Sequence, residues 1–341
     1  MLFRSHPSIQ PQRAIRELPD ELISQIAAGE VVERPASVVR ELVDNALDAG
    51  STHITVRLLS GGVRLISVED NGVGIPADEL PIALKRHATS KIANLDELES
   101  VGTMGFRGEA LAAIHSVSEL SLLSRTAQQD HAMRLDGRSG ELQAAARVQG
   151  TTVEVKELFY STPARRKFLK TDATELAHCV EAVRRHALSR PQVSFEIWHD
   201  GKLVEQWRSQ TGNEALDRRL SDVLGADFLQ NSVAIAFTQG NLQVYGRAGI
   251  PDAARARADH QFLYVNGRFV RDKVLTHAAR SAYEDVLHGH RQPVYALYLD
   301  MDPTRVDVNV HPTKIELRFR DSREVHQSVR RAVESALAIP R

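Results

Sequence analysis

Residues 40–50 read RELVDNALDAG. At about 100° of rotation per residue, the stretch divides on a helical wheel. Glu41, Asp44, Asn45 and Asp48 share one stripe, and Val39, Leu42, Val43, Ala46 and Leu47 form the opposite face. The apolar face asks for a core. The polar face is either solvated or one wall of a site for a metal and a charged substrate, and the helix alone does not choose. Pro35 precedes an expected start near Ser37, and Gly50 suits a left-handed helix stop.

Working outward, LPDELISQIAAGE (18–30) reads as a short helix with Asp20 at its N-cap. HITVRLL (53–59) and VRLISVED (63–70) are strand-like runs joined by SGG, and the second runs into DNGVGIP, where glycine lets backbone approach a ligand. Residues 78–88 suggest a helix despite Pro81, and Thr89–Glu109 suggests an irregular functional loop or lid. ALAAIHSV is helical, 117–155 alternates like β-structure, and Ala173–Leu188 is a helix that Pro191 would end. VSFEIWHDGKLVEQW forms a strand–turn–strand near a domain junction expected between 205 and 220, and we set it at 210. The expected organisation is a flexible extension at 1–14, a first domain at 15–210 and a second at 211–341. The second domain is expected to contain strands NSVAIAF, LQVYGRAGI, HQFLYVNGRFV and PVYALYLDM, with helices over 272–287 and 321–337.

With 42% hydrophobic and 26% charged residues the chain has a globular profile, which argues against disorder. One cysteine, Cys179, excludes an intrachain disulfide and a multi-cysteine zinc cluster. No apolar run approaches a membrane span, and the N-terminus lacks a signal-peptide core, so a cytoplasmic protein without a membrane partner is expected. Residues 1–150 hold 15 Lys and Arg against 20 Asp and Glu, whereas residues 151–341 hold 28 against 24. The basic excess gathers in YSTPARRKFLK and RARADHQFLYVNGRFVRDK, which permits a polyanion partner for the second half.

The phosphate loop G-x-x-x-x-G-K-[ST], a complete G-x-G-x-x-G after a strand, H-E-x-x-H and G-x-S-x-G are all missing. A different constellation is present. Glu41 and Asn45 lie one turn apart and reach the same volume. Asp70 ends a strand, where it can accept from an exocyclic amine while a threonine hydroxyl completes the base contacts. Thr89, Ser90 and Lys91 open the long loop, and Gly105–Gly108 close it at a helix N-terminus, where backbone N–H groups suit phosphate. Mg²⁺ keeps several waters, so the Asn45 amide oxygen plus phosphate oxygens would suffice as ligands, with Glu41 placed to deprotonate a water.

Helix E-x-x-x-N, DNGVGI, GFRGEAL and the later GTT resemble the ATP-binding fold of topoisomerase ATPase domains, heat-shock ATPase chaperones and histidine kinases, the GHKL superfamily. The finer resemblance is to the MutL family of DNA mismatch-repair ATPases. It rests on IAAGEVVERPASVVRELVDNALDAG, KRHATSKI, GFRGEALAAI, FYSTPARRKFL, YVNGRF and VDVNVHPTK, in that order, and covers about residues 15–338. It implies an α+β fold: an N-terminal GHKL (Bergerat) α/β sandwich, then a smaller left-handed βαβ domain of ribosomal-protein-like type. By matching position it implies Glu41 as catalytic base, Asn45 as Mg²⁺ ligand, and Asp70 on the adenine amino group supported by Thr151, with Gly74 beside the base. Thr89, Ser90, Lys91, Gly105, Phe106, Arg107 and Gly108 would form the lid around the phosphates, and Lys314 would reach the γ-phosphate from the second domain. Asp44 receives no catalytic role, and Asp48 is expected to cap or to pair with an arginine. His311 is expected to hold its turn. Arg165, Arg166 and Lys167 suit structural salt bridges or DNA equally, whereas Arg268, Arg271 and Lys273 are the stronger DNA candidates. The implied activity is Mg²⁺-dependent ATP hydrolysis, with ATP binding ordering the lid and promoting homodimerisation. Implied partners are DNA with little base readout, a mismatch-recognition protein of the MutS type, and a downstream nuclease or helicase. Two other readings stand beside it: a nucleotide-gated DNA-binding scaffold with incidental hydrolysis, and a topoisomerase-type ATPase subunit, which FYSTPARRKFL disfavours.

Overall fold

A computed structural model describes residues 31–85, 110–287, 289–308 and 315–338, with the single positions 19, 25, 28, 29 and 310. The expected N-terminal extension, most of the 18–30 helix and the 89–109 lid lie outside the described residues.

Helix α1 (Pro35–Asp48) starts two residues before the expected Ser37, because proline at the first helical position gives up an N–H that would be unpaired anyway. Its buried side is Pro35, Val38, Val39, Leu42, Val43 and Ala46. At its end, Gly50 has φ +73° and donates to Leu47 O at 3.0 Å, while Ser51 N donates to Ala46 O at 3.2 Å. This is a Schellman stop, and it delivers Ser51 to the strand ends beside the helix.

The helix packs on an eight-stranded sheet built from β1 (His53–Leu59), β2 (Leu65–Asp70), β3 (Glu119–Arg125), β4 (Ala132–Asp136), β5 (Leu142–Ala145), β6 (Gly150–Lys156), β7 (Ser194–His199) and β8 (Lys202–Trp207), in spatial order β5-β4-β3-β6-β2-β1-β7-β8. The β1–β7 pair is parallel and its other neighbours are antiparallel. A parallel partner requires a long crossover, which contains α5. Among the described residues three short helices decorate this unit: α2 (Leu80–Ala83), α3 (Ala110–Ser116) and α4 (Pro163–Phe168). Among the described residues the expected 78–88 helix contracts to the four of α2, where Pro81 is tolerated only in the first turn. Helix α5 (Asp172–Ser189), capped by Thr171, lies against α1 and buries Cys179, Val180, Val183 and Ala187.

Strands β7 and β8 belong to the first sheet, and Trp207 closes its core. Helices α6 (Ala215–Leu224) and α7 (Ala226–Gln230) fill residues for which the hydrophobic pattern gave no expectation. The second sheet contains β9 (Ser232–Gln239), β10 (Leu242–Gly249), β11 (Gln261–Val265), β12 (Arg268–Val270) and β13 (Tyr295–Asp300), ordered β12-β11-β13-β10-β9. Helix α8 (Lys273–Ser281) crosses between the parallel neighbours β11 and β13, as a βαβ unit requires. It is shorter than the expected 272–287. A small ribbon, β14 (Val306–Asp307) with β15 (Arg318–Phe319), leads to α9 (Ser322–Leu337).

Both faces of this sheet are covered. Leu263, Val265, Leu297 and Leu299 point into a core with α8 and α9, while Phe262, Tyr264, Ala296 and Tyr298 point toward Leu220, Phe228 and Leu188. The second face docks on α5. Tyr264 and Tyr298 stack with ring centres 4.8 Å apart, and their hydroxyls donate to Arg185 O at 2.7 Å and Leu188 O at 2.6 Å. Arg219 of α6, fully buried, donates to five carbonyls: Ala187, Arg190, Pro191, Val193 and Arg208, at 2.7–3.3 Å. A buried guanidinium survives because backbone oxygens surround it, three of them taking it as a second donor beside a backbone N–H, although burial still lowers its pKa to about 10. Among the described residues no helix is long and apolar enough to cross a membrane.

Candidate functional site

The base end of the site is built where α1, β2 and β6 meet. Asp70, the last residue of β2, is buried, and its Oδ1 accepts from Gly72 N at 2.8 Å, Ser51 Oγ at 3.2 Å and Thr151 N at 3.3 Å. Three donors on one oxygen orient the carboxylate and leave Oδ2, among the described residues, as the oxygen to meet a ligand's N–H. Burial raises its pKa above the ordinary 3.8, against the amides, the Ser51 hydroxyl and the Arg147 charge, which favour ionisation. Arg147 braces the same corner by donating to Asp70 O at 2.7 Å and to Thr152 Oγ1 at 3.0 Å.

Thr151 is buried, and its hydroxyl is 2.8 Å from Ser124 Oγ. The β3–β6 register sets that contact by pairing Ser124 with Thr151. Ser124 Oγ also accepts from Ile75 N at 2.8 Å, tying the DNGVGI loop to the sheet. Gly74 has φ +80°, and a Cβ there would lie 2.2 Å from Arg125 O, so the loop can pass only without a side chain.

The other end of the site is the polar side of α1. Glu41 is 12% exposed, and Arg40 Nη2 donates to its Oε1 at 3.0 Å. Asn45 lies one turn on. Asp44 receives His186 Nε2 of α5 at 2.8 Å. Burial works against its ionisation, but the charges of His186, Arg268 and Arg40 and the His186 hydrogen bond bring its pKa below the ordinary value. A cavity of about 380 Å³ opens along this edge, lined by Glu41 and Asp44 of α1, Arg185 and His186 of α5, and Arg268 and Phe269 of β12. Ile315, next in sequence to Lys314, also lines it and accepts from Arg271 N at 2.7 Å.

Asp70, Thr151 and Gly74 therefore gather at one end of α1, with Glu41 and Asn45 along its polar side. Thr89, Ser90, Lys91, Gly105, Phe106, Arg107, Gly108, His311 and Lys314 lie outside the described residues. Arg271 and Lys273 are exposed, as a phosphate-tracking surface needs. Arg268 is half-buried and feels Asp44, Asp48 and Glu41. That departs from the exposed placement expected of it: Arg268 opens the edge strand β12, and three carboxylates of α1 act on its charge there. Asp48, expected to cap or to pair with an arginine, acts on Arg268 through its charge. Arg166 pairs with Glu157 at 3.0 Å, and Arg165 sits over Phe159 at 5.9 Å. Ser51, Ser124, Arg147 and His186 were not anticipated; each joins the site through strand register or helix packing.

The donor set can be tested against a metal. Among the described residues no group of three His, Cys, Asp or Glu side chains could cage an ion. An amide oxygen such as that of Asn45 has the chemistry a hard cation takes when it arrives with phosphate oxygens and waters, as Mg²⁺ does.

Two family models match the chain. Residues 33–165 fit the histidine kinase-, DNA gyrase B-, and HSP90-like ATPase family, and residues 220–338 fit the C-terminal domain of DNA mismatch repair proteins. The DNA mismatch repair protein MutL of Ralstonia nicotianae is 60% identical over 327 residues, covering 96% of this chain and 51% of the relative. The chain thus spans about half the length of the curated relatives it matches. Among solved structures, the N-terminal domain of a DNA repair protein superposes with TM-score 0.75 at 25% identity, covering 92% of this chain and 97% of that one. An Aquifex aeolicus MutL ATPase domain complexed with ADP superposes with TM-score 0.60 at 26% identity, covering 80% and 94%.

Proposed function

Since this chain belongs to the MutL family of DNA mismatch-repair proteins, of which it holds the N-terminal ATPase region, we propose that it hydrolyses ATP with Mg²⁺ and uses the nucleotide state to govern dimerisation and DNA contact. The observation that carries the reading is Asp70, whose Oδ1 is held by three donors at the end of the helix that bears Glu41 and Asn45.

Asp70 Oδ2 receives the adenine amino group, with the Ser124–Thr151 hydroxyl pair alongside and Gly74 letting the base approach. Arg40 fixes Glu41 through Oε1, so among the described residues Oε2 is the oxygen left to take the proton of an attacking water. Asn45 supplies an amide oxygen to Mg²⁺, which when bound neutralises phosphate charge. Little covalent work falls to the protein, because phosphoryl transfer to water is governed by positioning and charge. Thr89, Ser90, Lys91 and Gly105–Gly108 close over the phosphates, and Lys314 reaches the γ-phosphate from the second domain. ATP thereby orders the lid and brings two N-terminal domains together, and ADP release reverses it. DNA follows the exposed cations Arg271 and Lys273. In the cell the cycle links a MutS-type mismatch sensor to a nuclease or helicase. The mismatch-repair model over residues 220–338 weighs against a topoisomerase subunit.

Glu41→Ala tests the mechanism. Turnover is expected to fall at least a hundredfold, on the order of the loss of a general base, with ATP affinity retained. Unchanged turnover would remove Glu41 from the chemistry, and full repair by a turnover-dead variant would favour the scaffold reading.

A further inference from the structure

Helix α1 turns Glu41 and Asp44 into the cavity, with Asp48 a turn further along the same stripe, and a triphosphate would add more negative charge there. Among the described residues two cations of the second domain line this cavity, Arg268 and Arg271, and Arg268 is the one on which the carboxylates of the stripe act. Arg268 lines the same cavity as Glu41 and Asp44. Burial pulls its pKa below the ordinary value, while Asp44, then Asp48, then Glu41 favour its charged form. Its two chain neighbours are each anchored to α5 or the turn after it. Arg190 Nη1 donates to Gly267 O at 3.5 Å, and the Arg185 guanidinium lies 4.4 Å from the centre of the Phe269 ring. Tyr264, across from Phe269 in the β11–β12 register, donates to Arg185 O. Arg268 is thus delivered to α1 by a strand held at several points, whereas Arg271 and Lys273 just beyond it are exposed.

We propose that Arg268 is a positioning residue for ATP hydrolysis: a cation supplied by the second domain that balances the carboxylates of α1, so that Glu41 and a bound triphosphate share one edge of the helix. The inference rests on the ATPase reading above. It separates Arg268 from the DNA-facing cations three and five residues on, and it makes seating of the second domain on α5 a condition of turnover.

The test compares wild type, Arg268→Met, Arg268→Lys and Arg268→Met/Asp44→Asn by steady-state ATP hydrolysis, binding of a fluorescent ATP analogue and thermal melts. Arg268→Met is expected to lower kcat/KM about tenfold or more, the scale of one charge-assisted contact. Arg268→Lys keeps most of the activity. Adding Asp44→Asn to Arg268→Met restores a large part, because it removes a charge that Arg268 balances without rebuilding any packing. Wild-type kinetics in Arg268→Met would overturn the proposal. So would a loss that neither lysine nor Asp44→Asn repairs, since that outcome marks a purely structural contact. Absence of turnover in the wild type itself, equal to the Glu41→Ala control, would instead sink the ATPase reading.

Discussion

Asp70→Asn separates the two oxygens of the carboxylate. Asparagine keeps an acceptor at Oδ1, so the hydrogen bonds from Gly72, Ser51 and Thr151 at 2.8, 3.2 and 3.3 Å can persist. At the other position it replaces an acceptor by an NH₂ donor. An adenine amino group would then meet a donor, losing a charge-assisted hydrogen bond of roughly 1.5–3 kcal/mol. At 1.36 kcal/mol per factor of ten, ATP should bind roughly ten- to a hundredfold more weakly. The apo protein should move the opposite way. An acid whose native pKa lies above the ordinary 3.8 has stability fully present below that value and lost as pH rises through the native one. At pH 7 the wild type therefore carries the whole cost of a buried charge, and the neutral amide does not. Calorimetric titration with a non-hydrolysable ATP analogue, paired with melts at pH 7 and pH 3, reads both effects. Asp70→Asn should melt no lower than wild type at pH 7, with its relative advantage gone at pH 3. Undiminished ATP affinity would refute the assignment of Oδ2 to the base. A collapse of the apo melt would show that Asp70 serves the fold instead.

Two further outcomes are expected. Arg219→Met strips a donor from five carbonyls where the domains join, and urea unfolding should show a loss of about 3 kcal/mol; a change below about 1 kcal/mol would mean that the backbone donors already on Ala187, Arg190 and Pro191 O suffice. Reversing Arg271 and Lys273 to glutamate should weaken DNA binding and flatten the plot of log affinity against log salt by roughly two units, as the loss of two phosphate contacts requires; an unchanged slope places the DNA elsewhere.

Helix α1 was legible because its signals are local: an apolar stripe between Pro35 and Gly50, off by two residues at the start. DNGVGI at a strand end likewise marked Asp70 and Gly74. What surrounds Asp70 was not legible, because its partners are set by pairings far apart in sequence. Ser51 arrives through the Schellman turn, and Ser124 through a register with Thr151, 27 residues on. Arg268 shows a pattern read at the wrong scale. Its neighbourhood is basic, which suggests a surface, yet β12 is an edge strand set beside the carboxylates of α1, a tertiary placement that RFV alone does not carry. Helix α6 was hidden by charge: NEALDRRLSDVL reads like a polar connection until Leu216, Leu220 and Leu224 are seen to recur at helical spacing.

Cys179 offers a use that its chemistry alone would not suggest. It is the chain's single cysteine, buried in α5 with its Sγ 3.8 Å from Gly61 O, and burial pushes its thiol pKa far up. A thiolate reagent can reach it only when α5 parts from α1 and the sheet. Since α5 carries the first domain on one side and the tyrosines of the second on the other, the rate at which Cys179 is labelled is a stopwatch for the opening of the helix that joins the two halves. It needs no engineered probe.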